Sequence, residues 1–169
     1  MARNIEIKAR VGDKESLEAA VVLIATAGPT LILQDDTFFA CPNGRMKLRE
    51  FVTGEGELIF YRRSDTAGPK ESEYFRSRTT AVASLRQALA LGYGEIARVR
   101  KRRTLYLVGR TRVHLDEVEG LGEFLELEVV LAEGEPAQAG FDEAHDLMTR
   151  LGIAPSALVQ GAYIDLARS

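Results

Sequence analysis

The chain has 169 residues, with 22 Lys and Arg against 25 Asp and Glu and a formal charge of −3. That length suits a single domain spanning residues 1–169, and the slight acidity excludes a nucleic-acid binder that works through bulk charge. One cysteine, Cys41, excludes an internal disulfide, no apolar run reaches membrane-spanning length and no signal-like segment opens the chain, so a cytoplasmic protein without membrane contact is expected.

Residues Arg3 to Arg10 alternate strictly, with Ile5, Ile7 and Ala9 on one face and Asn4, Glu6, Lys8 and Arg10 on the other, which predicts a strand with a charged side. Asp13 is a helix N-cap candidate for a run that stops at Gly28-Pro29. An extended segment follows from Leu31 to Phe39, and the Pro42-Asn43-Gly44 turn leads into a strand where Arg45, Lys47 and Arg49 share a face. Leu58 to Asp65 is extended, with Ile59, Tyr61 and Arg63 on one side. After the turn at Thr66 to Pro69, Lys70, Ser72, Tyr74 and Arg76 keep one parity. Thr80 to Leu91 predicts a helix closed by Gly92. A strand from Ile96 to Arg103 is basic on both faces, and Leu105 to Val108 is a further extended run before the Gly109-Arg110 turn.

The stretch from Arg112 to Leu131 reads as two paired strands turning at Gly120 and Gly122. Arg112, His114 and Asp116 share one face of the first. In the second, Glu126 and Glu128 lie opposite Leu125, Leu127, Val129 and Leu131. If the polar faces meet, Asp116, Glu126 and Glu128 converge, and an oxygen-rich cluster of that kind suits Mg²⁺ or Mn²⁺. A half-exposed sheet with a wet polar face gives the same alternation. Helices are expected from Phe141 to Leu151 and again near Pro155, with Gly161 preceding Tyr163 to Leu166. Roughly eight strands with interspersed helices make an α+β chain dominated by antiparallel pairing.

Strand after strand thus carries ionisable groups on one face. Closing such a sheet into a barrel removes its edges, and helices covering the apolar face from outside would turn the charges inward. Lys8, Arg45, Lys47, Arg49, Arg63, Lys70, Lys101, Arg103 and Arg112 would then crowd together, which calls for a compensating polyanion such as a polyphosphate.

The segments IEIKAR, PNGRMKLRE, ELIFYRRSD with GPKESEY, VRKRR, RVHLDEVEGLGEFLELEVVL and AYIDL together resemble the CYTH domain, the triphosphate tunnel metalloenzyme group that joins class IV adenylyl cyclases with thiamine triphosphatases. RVHLD and GLGEFLELE are most similar to the cyclase branch. The resemblance implies a closed eight-stranded antiparallel β-barrel with flanking helices. It implies triphosphate binding by Lys8, Arg45, Lys47, Arg63, Lys70, Lys101, Arg103 and Arg112, with Lys101, Arg103 and Arg112 also catalytic. Glu6, Asp116, Glu126 and Glu128 would be the metal-side acids for Mg²⁺ or Mn²⁺, and a homodimer is implied. The family's opening Glu-x-Glu-x-Lys reads Asn4-Ile5-Glu6-Ile7-Lys8 here, so one carboxylate is an amide. ATP conversion to cyclic AMP and pyrophosphate is the leading expectation. Hydrolysis of thiamine triphosphate, inorganic triphosphate or a nucleoside triphosphate is the alternative, and a polyphosphate-binding module without turnover is a third.

The remaining candidates are assigned ordinary roles. His114 reads as a hydrogen-bonded structural histidine, His145 as a surface residue, and Tyr61 and Tyr74 as packing residues. Cys41 has no base partner. The basic run from Arg98 to Arg103 lacks interleaved aromatics, so no nucleic-acid partner is expected.

Overall fold

A computed structural model of the protein describes residues 1–167. In chain order the elements are β1 (Ala2–Arg10), α1 (Lys14–Ile24), β2 (Ala27–Phe39), β3 (Arg45–Phe51), β4 (Gly56–Arg63), β5 (Lys70–Thr79), α2 (Val82–Tyr93), β6 (Glu95–Val108), β7 (Thr111–Val118), β8 (Gly122–Val130), α3 (Ala137–Arg150), a 3₁₀ turn (Pro155–Ala157) and α4 (Tyr163–Ala167). The strands form a closed antiparallel barrel in the order β1-β5-β4-β3-β2-β6-β7-β8, and β8 pairs back onto β1. Closure leaves no sheet edge to template aggregation. Among the described residues, no helix is long and apolar enough to cross a membrane.

The alternation sorts side chains between two environments. Outward residues Ile5, Ile7, Val113, Leu115, Leu125, Leu127 and Val129 are buried beneath Leu17 and Val21 of α1 and Ala144, Leu147, Met148 and Leu151 of α3. Each fully buried aliphatic side chain of this kind contributes about 1.5–3 kcal/mol. α3 can approach so closely because Gly140 faces β1: a Cβ there would lie 2.5 Å from Ile5 Cγ1 and 2.8 Å from Leu131 Cδ2. A second outer cluster packs Val82 and Leu89 of α2 on Phe39 and Leu48. The inward residues are mostly charged.

Several boundaries differ from the expected ones. Asp13 caps α1 as predicted, its carboxylate accepting from Ser16 N at 3.0 Å. The helix, however, ends at Ile24, because Thr26 N donates to Leu107 O at 2.7 Å and β2 is already paired with β6 from Ala27. The two extended runs expected at Ile96 to Arg103 and Leu105 to Val108 are one strand, since Thr104 pairs with Leu31 on one side and Leu115 on the other. α2 runs through Gly92 and is closed by Gly94, whose φ of +84° suits glycine. α3 begins at Ala137, four residues before Phe141.

Candidate functional site

The barrel interior is a cavity of about 320 Å³, at the small end of the roughly 300–1,000 Å³ common for ligand sites. Eight cationic and five acidic side chains line it. Phe38, Val99 and Phe124 form an apolar cluster with Ala162 and with Tyr163 and Ile164 of α4. Tyr163 meets Phe124 edge-on, ring centroids 5.0 Å apart.

The charges are organised around two buried aspartates, each 2% exposed. On the β2–β3 wall, Asp36 accepts from Lys47 Nζ at 2.7 Å and from Arg49 Nε and Nη2 at 2.7 and 2.8 Å. On the β6–β7 wall, Asp116 accepts from Arg103 Nε and Nη2, both at 2.6 Å, and from the Tyr163 hydroxyl at 2.8 Å, with Lys101 Nζ 3.4 Å away. Burial alone would raise these carboxyls. The facing guanidinium and ammonium groups overcome it and hold both far below the usual range.

Glu126 also bonds Arg103, so Asp116 and Glu126 meet on one guanidinium. Lys8 Nζ lies 3.2 Å from Glu126 Oε1 and sits 3.8 Å from the centroid of the Tyr163 ring. Glu6 accepts from Arg63 Nη1 at 2.5 Å, and Arg63 Nη2 donates to Gly161 O at 2.7 Å. Arg112 Nη1 is 3.3 Å from Glu128 Oε2. Arg45 stands at the rim between Asp65 and Asp165, each 2.8 Å away, and Lys70 donates to Thr66 O at 2.9 Å beside the turn before β5.

The lysines bear the cost of this crowding. Burial, followed by repulsion from Arg49, lowers Lys47 to about 7. Burial lowers Lys8 to about 8, with Glu126 opposing it and Arg63 and Lys101 adding to it. Lys101 is lowered in the same direction by burial and Arg103. The tunnel is therefore short of anionic charge when empty of ligand.

Of the four acids expected on the metal side, Glu126 and Glu128 stand together, Glu6 is paired with Arg63, and Asp116 is committed to Arg103, Lys101 and Tyr163. The β7–β8 register puts His114 opposite Glu126, and Asp116 opposite Phe124. His114 differs from its expected role: Nδ1 has no hydrogen-bond partner, although the side chain is only 5% exposed. Asn4 is buried on the lining with Oδ1 also unpartnered. Glu126, Glu128 and His114 offer ligand atoms within 4.8 Å of one another, so the donor set fits a divalent cation.

Sequence reasoning did not single out Asp36, Arg76 or Tyr163, which all reach the interior, and it carried Arg49 no further than the list of inward cations. For Asp36 a signal existed in the Asp35-Asp36 pair. Asp35 faces outward to Arg98 and Arg100, at 2.7 and 3.1 Å, which leaves Asp36 inward. Tyr61 and Tyr74, read as packing residues, line the cavity beside Arg63 and Arg112. His145 is exposed on α3 as expected.

A family model described as the CYTH domain matches residues 2–163. The adenylate cyclase CyaB of Aeromonas hydrophila is 26% identical over 94% of this chain and 85% of its own length. Among solved structures, the PH1012 protein of Pyrococcus horikoshii superposes with a TM-score of 0.80 at 24% identity, covering 96% of this chain and 98% of that one. A Hippeastrum adenylyl cyclase candidate, described as having a dominant triphosphatase activity, superposes with a TM-score of 0.61 at 18% identity, covering 89% and 88%. At these identities the two structures speak to the fold.

Proposed function

Because this chain belongs to the CYTH domain family, we propose that it is a metal-dependent enzyme that grips a triphosphate inside its barrel and converts ATP to cyclic AMP and pyrophosphate. The observation that carries this reading is a cavity inside a closed barrel where cationic side chains outnumber acidic ones, eight to five, with two carboxylates and an imidazole gathered on one wall. A triphosphate would relieve the repulsion among Lys8, Lys47, Lys101 and their arginine neighbours.

Lys8, Lys47 and Arg63 grip the phosphates, with Arg45 and Lys70 acting at the rim. Lys101, Arg103 and Arg112 share that grip and also stabilise the charge that builds on the leaving phosphates. In the reaction, the ATP 3′-oxygen bonds to the α-phosphorus, the bond to the bridging oxygen breaks, and pyrophosphate departs carrying the proton that the 3′-hydroxyl gives up. A divalent ion held by the acidic wall would supply charge neutralisation and a more acidic attacking hydroxyl. Similarity to the Aeromonas cyclase and the RVHLD and GLGEFLELE segments support cyclisation. The Hippeastrum neighbour supports a second reading, in which water attacks the terminal phosphorus on the same grip.

Incubation with ATP, thiamine triphosphate and inorganic triphosphate, each with Mg²⁺ or Mn²⁺, followed by chromatography of the products, separates these readings. Cyclic AMP from ATP is the expected result. Orthophosphate without cyclic AMP would replace the cyclase with a triphosphatase, and binding without any product would leave a recognition module.

The lowered lysines give the grip a pH dependence. Only the charged ammonium attracts phosphate, and its fraction in the free protein falls as pH rises through about 7 for Lys47 and about 8 for Lys8. Calorimetric titration with inorganic triphosphate should therefore weaken from pH 7 to pH 9. Each lysine contributes at most roughly tenfold per pH unit above its pKa. Binding at pH 8 should be accompanied by proton uptake, read by comparing buffers of different ionisation enthalpy. Affinity that is level across this range would contradict the assignment of Lys8 and Lys47 to the grip.

A further inference from the structure

His114 Nδ1 points into the acidic wall, 3.8 Å from Glu128 Oε1 and 3.9 Å from Glu126 Oε2. Those separations are too long for hydrogen bonds. They suit atoms arranged around one ion, since with bonds of about 2.1–2.3 Å two ligand atoms stand about 3.0–3.3 Å apart at right angles and about 4.2–4.6 Å apart on opposite sides of the metal, a range that brackets them. All three residues offer an atom within 4.8 Å of the others. The strand register holds the set in place, with His114 opposite Glu126 and Arg112 opposite Glu128.

We propose that His114 Nδ1 is a metal ligand, and that with Glu126 and Glu128 it forms a mixed nitrogen–oxygen site selecting a first-row transition ion such as Mn²⁺ over Mg²⁺. The inference rests on the metal-dependent reading above, and it is independent of which product forms. Mg²⁺ demands oxygen ligands in near-ideal octahedra and keeps its waters, whereas transition ions accept imidazole readily. Lys8 and Arg103, both paired with Glu126, oppose a lone cation there. The ion and the triphosphate should therefore bind more tightly together than apart. Coordination through Nδ1 requires the tautomer protonated on Nε2.

The test is electron spin-echo spectroscopy of Mn²⁺ added to the full chain, with and without inorganic triphosphate. The chain has two histidines, and His145 is exposed on α3. Protein labelled with ¹⁵N-histidine should show the nitrogen coupling change isotope, and His145→Gln should leave that coupling untouched. His114→Gln should abolish it, lower Mn²⁺ affinity about tenfold or more, and leave Mg²⁺ affinity within about threefold. The labelled natural chain decides the matter even if the buried substitution fails to fold. Bound Mn²⁺ without histidine coupling, or no Mn²⁺ binding in either condition, overturns the inference. In the first case the proposed activity stands, and loss of turnover with the coupling present would sink the activity and leave the site.

Discussion

Replacing Glu126 and Glu128 together by glutamine should lower metal-dependent turnover by about 10³-fold or more, the several kcal/mol that a bound ion supplies to a phosphoryl reaction. Both residues lie on β8, where the backbone pairs with β1 and β7, so neither is needed for the ladder itself. Glutamine keeps the shape and a carbonyl acceptor for Lys8 and Arg112, and Arg103 keeps its two bonds to Asp116. The circular dichroism spectrum should therefore remain that of the parent, while the melting temperature falls, because Glu126 is the carboxylate that faces buried Lys8 and Arg103. A double variant that turns over at the parental rate would remove the acidic wall from the chemistry.

The largest effect on stability is expected at Asp116→Ala. That carboxylate accepts hydrogen bonds from Arg103 and Tyr163 and faces Lys101 Nζ at 3.4 Å in a buried part of the barrel. Removing one member of a buried ion pair costs about 3–5 kcal/mol, chiefly because the remaining charges have lost their compensation. For a chain of this size, that lowers the melting temperature by roughly 10 °C or more. Because a triphosphate would give the stranded cations a new partner, millimolar inorganic triphosphate should recover more stability in Asp116→Ala than it adds to the parent. An unchanged melting temperature would show that Asp116 does not organise the cations around it.

The same residues show which parts of the molecule could be read in advance. Period-two alternation put Glu6, Lys8, Lys47, Arg63, Arg112, Glu126 and Glu128 on the charged face of their strands, and the barrel turns that face inward. Alternation is local, so it survives without knowledge of partners. Pairing is not local. Asp116 and His114 have the same parity, and only the register of β7 on β8 and β6 decides that His114 faces Glu126 while Asp116 takes the Arg103 fork. Tyr163 was hidden for a related reason: a five-residue helix becomes part of the site through where the chain end is carried. Thr104 interrupts a basic run within β6, a change of composition that the ladder ignores.

The most direct test of the central claim is a calorimetric titration of inorganic triphosphate into the protein at pH 7 with Mn²⁺ present. The account predicts one equivalent bound per chain, displaced by ATP and strongly weakened in Arg103→Ala that is shown to be folded. No binding, or binding that is indifferent to Arg103 and to ATP, would contradict it.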